Sequence, residues 1–150
     1  MVIKEKFLKE FIKVTQQASI ATLPKIGSNN KNDVDKLATD AMRKILNDIK
    51  IKGRVVIGEG EIDEAPMLYI GEILGKNEGP EIDIAVDPLE GTNFAANNLP
   101  GALSVIAVTH KNNLLHAPET YMNKIAYGPK IEKGVIAVSY THLRAHETST

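Results

Sequence analysis

The hydrophobic period changes near residue 54, and that change restricts the fold more than any other feature. Before it, Phe7, Phe11, Val14, Ala18 and Ala21, with Leu8 and Ile12 beside them, predict an amphipathic helix over residues 4–21. The stretch PKIGSNNKND, with Pro24, Gly27 and three asparagines, is a loop by composition. A second helix is expected from about Asp33 to Lys50, with Val34, Leu37, Ala38, Ala41, Met42, Ile45, Leu46 and Ile49 as its apolar stripe. Asp33 and Asp35 fall in its first turn, where the helix dipole favours negative charge.

Beyond the switch the pattern is strand-like. RVVIGEGE is a β-branched run stopped by glycines, IDIAVD alternates, and ALSVIAVTH is a longer apolar run. DEAPMLYIGEIL (63–74) reads as a short helix with Pro66 in its first turn. KNN turns into LLHAP, predicting a hairpin over 102–117, and GVIAV at 134–138 starts a further strand. Two helices followed by strands point to α+β, a helix pair packed on a mostly antiparallel sheet. The length fits one domain or one large piece of a longer protein.

Several function classes are excluded early. A formal net charge of -1 argues against nucleic-acid or acidic-membrane binding through bulk electrostatics. The chain has no cysteine, which removes thiolate metal sites and a thiol nucleophile. No stretch is apolar enough to span a membrane, and the charged N-terminus is no signal peptide, so a cytoplasmic protein is expected.

Acidic residues gather at the ends of elements instead. Lys31, Asp33 and Asp35 form one cluster; Glu59, Glu61, Asp63 and Glu64 a second; Asp87 and Glu90, in DPLEGT, a third. In the third, Pro88 fixes the chain, Gly91 permits a turn and close backbone approach, and Thr92 adds a hydroxyl. Carboxylates held together repel unless a cation lies between them, and oxygen ligands without cysteine select magnesium or manganese. Each cluster also has a plain structural reading: Asp33 as a helix cap, 59–64 as a solvated acidic turn, DPLEGT as an ordinary turn. EF-hand, Walker and G-x-G-x-x-G patterns are absent. His142 and His146, with Glu147, have the spacing of a helical metal pair, but SYTHLRAHETST continues no pattern and reads as an unstructured end.

VVIGEGEIDEAPMLYIGE (55–72) followed by IDIAVDPLEGT (82–92) resembles class II fructose-1,6-bisphosphatase, the bacterial type that in some organisms also acts on sedoheptulose 1,7-bisphosphate. KNDVDKLATDAMR (31–43), ALSVIAV (102–108) and HAPETYMNKIAYGP (116–129) support it. DPLEGT is also similar to the D-P-x-D-G-[ST] signature of lithium-sensitive phosphatases, with Glu90 in place of aspartate. The resemblance runs over residues 3–136, so that 1–138 is expected as the N-terminal part of a longer enzyme and 139–150 as a tail foreign to the family, disordered or artefactual.

The resemblance implies a layered α/β/α/β/α architecture and a manganese- or magnesium-dependent hydrolase of the 1-phosphate of fructose 1,6-bisphosphate, in gluconeogenesis and glycerol metabolism. It assigns Asp35, Glu59, Asp87 and Glu90 as metal ligands. Glu90, Gly91, Thr92 and Tyr121 become substrate contacts, with Lys31 near the site. Thr92 either assists the attacking water or holds the phosphate, and Glu61 is the candidate to orient the nucleophile. The implied partners are a sugar bisphosphate and further copies of the chain, as a dimer or tetramer of the full-length enzyme. Family members carry a later half that supplies another metal-binding glutamate and basic residues for the second phosphate; these residues alone are therefore expected to be inactive. The alternatives are an inositol monophosphatase-like enzyme and a metal-binding fragment without turnover.

Overall fold

The first helix presents Val14 and Ala18, both fully buried, to a sheet formed wholly by residues beyond Lys50. A computed structural model of the chain describes residues 5–59, 67–116 and 127–132. Helix α1 spans Glu5–Thr22 and ends in a 3-10 turn at Leu23–Lys25, where Pro24 is compatible with the tight first turn. Helix α2 spans Lys31–Asp48 and buries Val34, Ala38, Met42 and Leu46, which recur at four-residue intervals on one face. It begins two residues earlier than the sequence predicts because Asn30 caps it, accepting the Asp33 N–H at 3.2 Å. Asp33 is thus not the cap; it lies in the first turn and pairs with Lys25 at 3.1 Å.

The strands are β1 (Lys52–Ile57), β2 (Ile73–Leu74), β3 (Glu81–Glu90) and β4 (Leu103–His110), with a short helix α3 at Thr92–Ala96. They lie in the order β2-β1-β3-β4. The β1–β2 and β3–β4 pairs are antiparallel and β1–β3 is parallel, so the sheet is mixed. Along β3, Ile82, Ile84 and Val86 point into the core beneath the helices, and Ile106 and Val108 of β4 pack there too. This is the expected helix pair on a sheet.

The opposite face holds Asp83, which is fully buried; its Oδ1 accepts from Arg54 Nη2 at 3.0 Å and its Oδ2 from the Asn112 N–H at 2.7 Å. A buried carboxylate needs such partners. They tie β1 and the turn after β4 to the central strand. Farther along the same face Leu103 and Val105 remain 60% and 45% exposed, which leaves an apolar surface without a covering layer among the described residues.

Two local expectations are corrected. Met67–Leu74 is not helical: Gly71 turns at φ +94, its N–H donates to the Val55 carbonyl at 2.8 Å, and Ile73–Leu74 joins the sheet as β2. A short apolar run with glycine is ambiguous between periods, and pairing with β1 decides it. Nor is there a hairpin over 102–117. β4 pairs with β3, the turn at 111–112 is held over Asp83, and Leu114–His116 form no strand; His116 Nδ1 instead lies 3.1 Å from the Val56 carbonyl. The predicted strand at 134–138 and the tail lie outside the described residues. The chain divides into units 1–119 and 120–150; in the second, the Ile131 N–H donates to the Gly128 carbonyl at 3.2 Å.

Candidate active site

Asp87 and Glu90 are three positions apart, which in a regular strand would send their side chains to opposite faces. The ladder prevents this. Asp87 pairs with Val105 and Glu90 with Leu103, so β3 spends one more residue than β4 over the same span, a bulge that re-aims the end of the strand. Pro88, which has no N–H for a ladder, sits inside the bulge, and the Leu89 N–H donates to Asp87 Oδ1 at 3.1 Å. The outcome is that the Asp87 and Glu90 carboxyls come close enough to perturb one another.

That contact has an electrostatic signature. The Asp87 carboxyl is pushed up to about 6, first by burial, then by the hydrogen bond to Glu90 and the charges of Glu90 and Asp35, against the lowering effect of the Leu89 N–H. Burial also raises Asp35. Asp87 therefore lies within the fields of two other carboxylates, and the group needs positive charge or a proton to be stable.

Asp35 reaches this place because the start of α2 is fastened to α3. The Gly27 N–H donates to the Ala95 carbonyl at 3.0 Å and the Asn29 N–H to the Ala96 carbonyl at 2.7 Å. Between β3 and α3 stands Gly91 at φ +77, a backbone that favours glycine, and an added Cβ would meet the Phe94 ring at 2.9 Å and force it to shift. Thr92 follows, half-buried, as the first residue of α3. Lys31, exposed, is the first residue of α2.

Glu59 enters from the parallel neighbour. Ile57 pairs with Ala85, so β1 and β3 run out at the same end of the sheet and deliver Glu59 and Asp87 side by side in the topology. The Glu59 N–H donates to the Leu68 carbonyl at 2.9 Å, and one of its carboxylate oxygens, Oε2, is shielded from solvent. Glu61 and Tyr121 lie outside the described residues. Among the described residues, no three His, Asp or Glu side chains are arranged to hold an ion. What the donor chemistry offers is a set of hard oxygen ligands, one of them, Asp87, pushed up to about 6 first by burial and then by its acidic neighbours.

Sequence reasoning missed Asn30, although an Asn three residues before Asp33 is a legible cap signal. It also missed Arg43, whose partner Glu72 is 29 residues away and leaves no local signature.

The model of the family described as "Bacterial fructose-1,6-bisphosphatase, glpX-encoded" matches residues 5–145. A relative from Escherichia coli, fructose-1,6-bisphosphatase 2 class 2, is 52% identical over 127 residues, covering 85% of this chain and 39% of its own length. A Synechococcus relative, D-fructose 1,6-bisphosphatase class 2/sedoheptulose 1,7-bisphosphatase, is 46% identical over 134 residues, covering 89% and 40%. The chain thus spans about two fifths of the curated relatives it matches. A solved structure of an extragenic suppressor from Pyrococcus furiosus shares the fold at TM-score 0.50 and 21% identity, over 72% of this chain and 42% of that one. The chain belongs to the bacterial, glpX-encoded fructose-1,6-bisphosphatase family.

Proposed function

We propose that this chain carries the carboxylate half of a site that hydrolyses the 1-phosphate of fructose 1,6-bisphosphate to fructose 6-phosphate and inorganic phosphate, with manganese or magnesium as cofactor. The observation that carries the reading is the bulge that brings Asp87 and Glu90 together within the field of Asp35, a concentration of negative charge that a divalent cation would relieve. Asp35, Glu59, Asp87 and Glu90 would hold the metal. A divalent cation supplies electrostatic stabilisation to a phosphoryl group undergoing in-line displacement.

The chain's own residues take the remaining roles. Gly91 and the Thr92 hydroxyl hold the phosphate or direct water toward it, beside Glu90. Lys31, at the start of α2, contributes positive charge to the approaching substrate. Tyr121 reaches the sugar phosphate, and Glu61 orients the nucleophile. Water adds to phosphorus, the bond from phosphorus to the sugar oxygen breaks, and the sugar oxygen leaves with a proton.

The relatives extend well beyond the part this chain covers, and the family resemblance implies that the basic residues for the 6-phosphate belong to that remainder. Each lost charge-assisted contact costs about 1.5–3 kcal/mol, so several together weaken substrate binding by orders of magnitude. Phosphate release from this chain alone is therefore expected to be negligible. The same residues joined to the remaining part of the Escherichia coli relative should release one phosphate per sugar in a manganese-dependent manner. An inactive, well-folded chimera would overturn the reading. Sedoheptulose 1,7-bisphosphate is the second substrate to assay, since the Synechococcus relative bears that name as well. A metal-binding piece without turnover is the second reading, favoured by the two-fifths coverage.

A further inference from the structure

We infer that Arg43 is a positioning residue, which holds the arm of residues 67–72 against α2 and thereby fixes Glu59 relative to Asp35. The inference rests on the metal reading above and adds a residue distinct from the proposed ligands and substrate contacts.

The geometry is a fork. Arg43 Nε donates to Glu72 Oε1 at 2.8 Å, while Nη2 donates to Glu72 Oε2 at 3.3 Å and to the Met67 carbonyl at 2.5 Å. The two side chains are only 25% and 11% exposed, so the pair is screened far less than a surface ion pair. One guanidinium holds a carboxylate and a main-chain carbonyl at once, which the point charge of a lysine cannot reproduce.

From there the connection to Glu59 is short. Met67 precedes Leu68, which is fully buried, and the Leu68 carbonyl accepts the Glu59 N–H at 2.9 Å. The neck is tight: a Cβ on Gly58 would stand 2.2 Å from that same carbonyl oxygen. On the other side the Glu72 carbonyl accepts the Val55 N–H at 2.9 Å, closing the arm onto β1. Arg43 and Asp35 belong to one helix, eight residues or about 12 Å apart at 1.5 Å per residue. A single rigid element thus presents one proposed ligand directly and sets the backbone of another through the loop neck. Packing α2 on the sheet does not call for such a fork, because Val34, Ala38, Met42 and Leu46 already provide it.

The test uses the full chain and two readouts. In metal-free protein, Arg43→Gln should speed hydrogen exchange at the Glu59 amide and leave the amides of the β3–β4 pairing unchanged. By calorimetry, Arg43→Gln should weaken manganese binding about tenfold or more, the range for supporting residues around a metal. Arg43→Lys should recover little of it. In a Glu59→Gln background the same substitution should cost almost nothing, because the group it positions is gone. Glu72→Gln, which keeps the size of the side chain, should reproduce both effects if Arg43→Gln fails to fold. Unchanged exchange at Glu59, unchanged manganese affinity, or an equal loss in both backgrounds would each overturn the inference. A wild-type chain that binds no manganese would sink the metal reading, and the exchange at Glu59 would then decide alone whether Arg43 holds the loop.

Discussion

Asp87 and Glu90 approach one another because β3 uses one residue more than β4 between them. A single extra position turns two carboxylates that a regular strand would separate into a pair facing one space. Asp87→Asn removes a charge from the pair, and it should weaken manganese binding by at least about the tenfold that loss of a supporting residue costs. Glu78→Gln, exposed and paired with Lys50, should leave it unchanged. Calorimetry that finds equal affinity for Asp87→Asn and wild type would remove Asp87 from the ligand set.

Metal-free protein should lose stability as pH rises. The folded-state value of Asp87, about 6, lies above its ordinary 3.8, so the folded form binds the proton more tightly than the unfolded chain does. The contribution is fully present below 3.8 and is lost as pH climbs through about 6. Asp35, raised by burial, acts with the same sign. The melting temperature without metal should therefore be lower at pH 7.5 than at pH 5.5, and excess manganese should narrow the gap. A metal-free protein that gains stability over this interval would contradict the arrangement of charges.

Gly91→Ala should destabilise the fold by about 1–3 kcal/mol, because its left-handed backbone is strained for any side chain. The contact with the Phe94 ring adds to the cost. Combining it with Phe94→Ala should return only the steric part, leaving the conformational part in urea unfolding midpoints. Equal midpoints for wild type and Gly91→Ala would show that the turn relaxes.

Leu103 and Val105 should make the isolated chain self-associate, since they extend an exposed apolar surface along a strand. Val105→Lys should shift sedimentation toward the monomer without lowering the melting temperature. A monodisperse wild-type monomer would argue that the face is satisfied within the chain.

Much of the architecture was legible because it rests on period. Met42 and Leu46 declare a helix face, and Ile82, Ile84 and Val86 a strand face, whatever lies around them. Leu74 was not legible as a strand residue, because its two-residue element exists only through pairing with Gly53. Leu114 and Leu115 suggested a returning strand, but the chain after Asn112 is diverted by the bond to Asp83. At the site, Asp87 and Glu59 could be placed at strand ends from sequence, and the parallel pairing of β1 with β3 puts those ends together. The proline in β3 announces an irregularity but not its direction; the register against Val105 and Leu103 does. Arg43 could not be found at all, since ion pairs across 29 residues arise from the fold rather than precede it.

The uncovered side of β4 has a consequence for biogenesis. The four ligands proposed within this chain have all been made by Glu90 and the four described strands by His110, so a growing polypeptide has this part of its cation-binding floor in hand early in synthesis. At that moment Leu103 and Val105 are a sticky surface in crowded surroundings. Any pause in translation soon after this strand would make the nascent protein a client for holding chaperones, and early metal loading would steady the ribosome-tethered intermediate until a covering layer arrives.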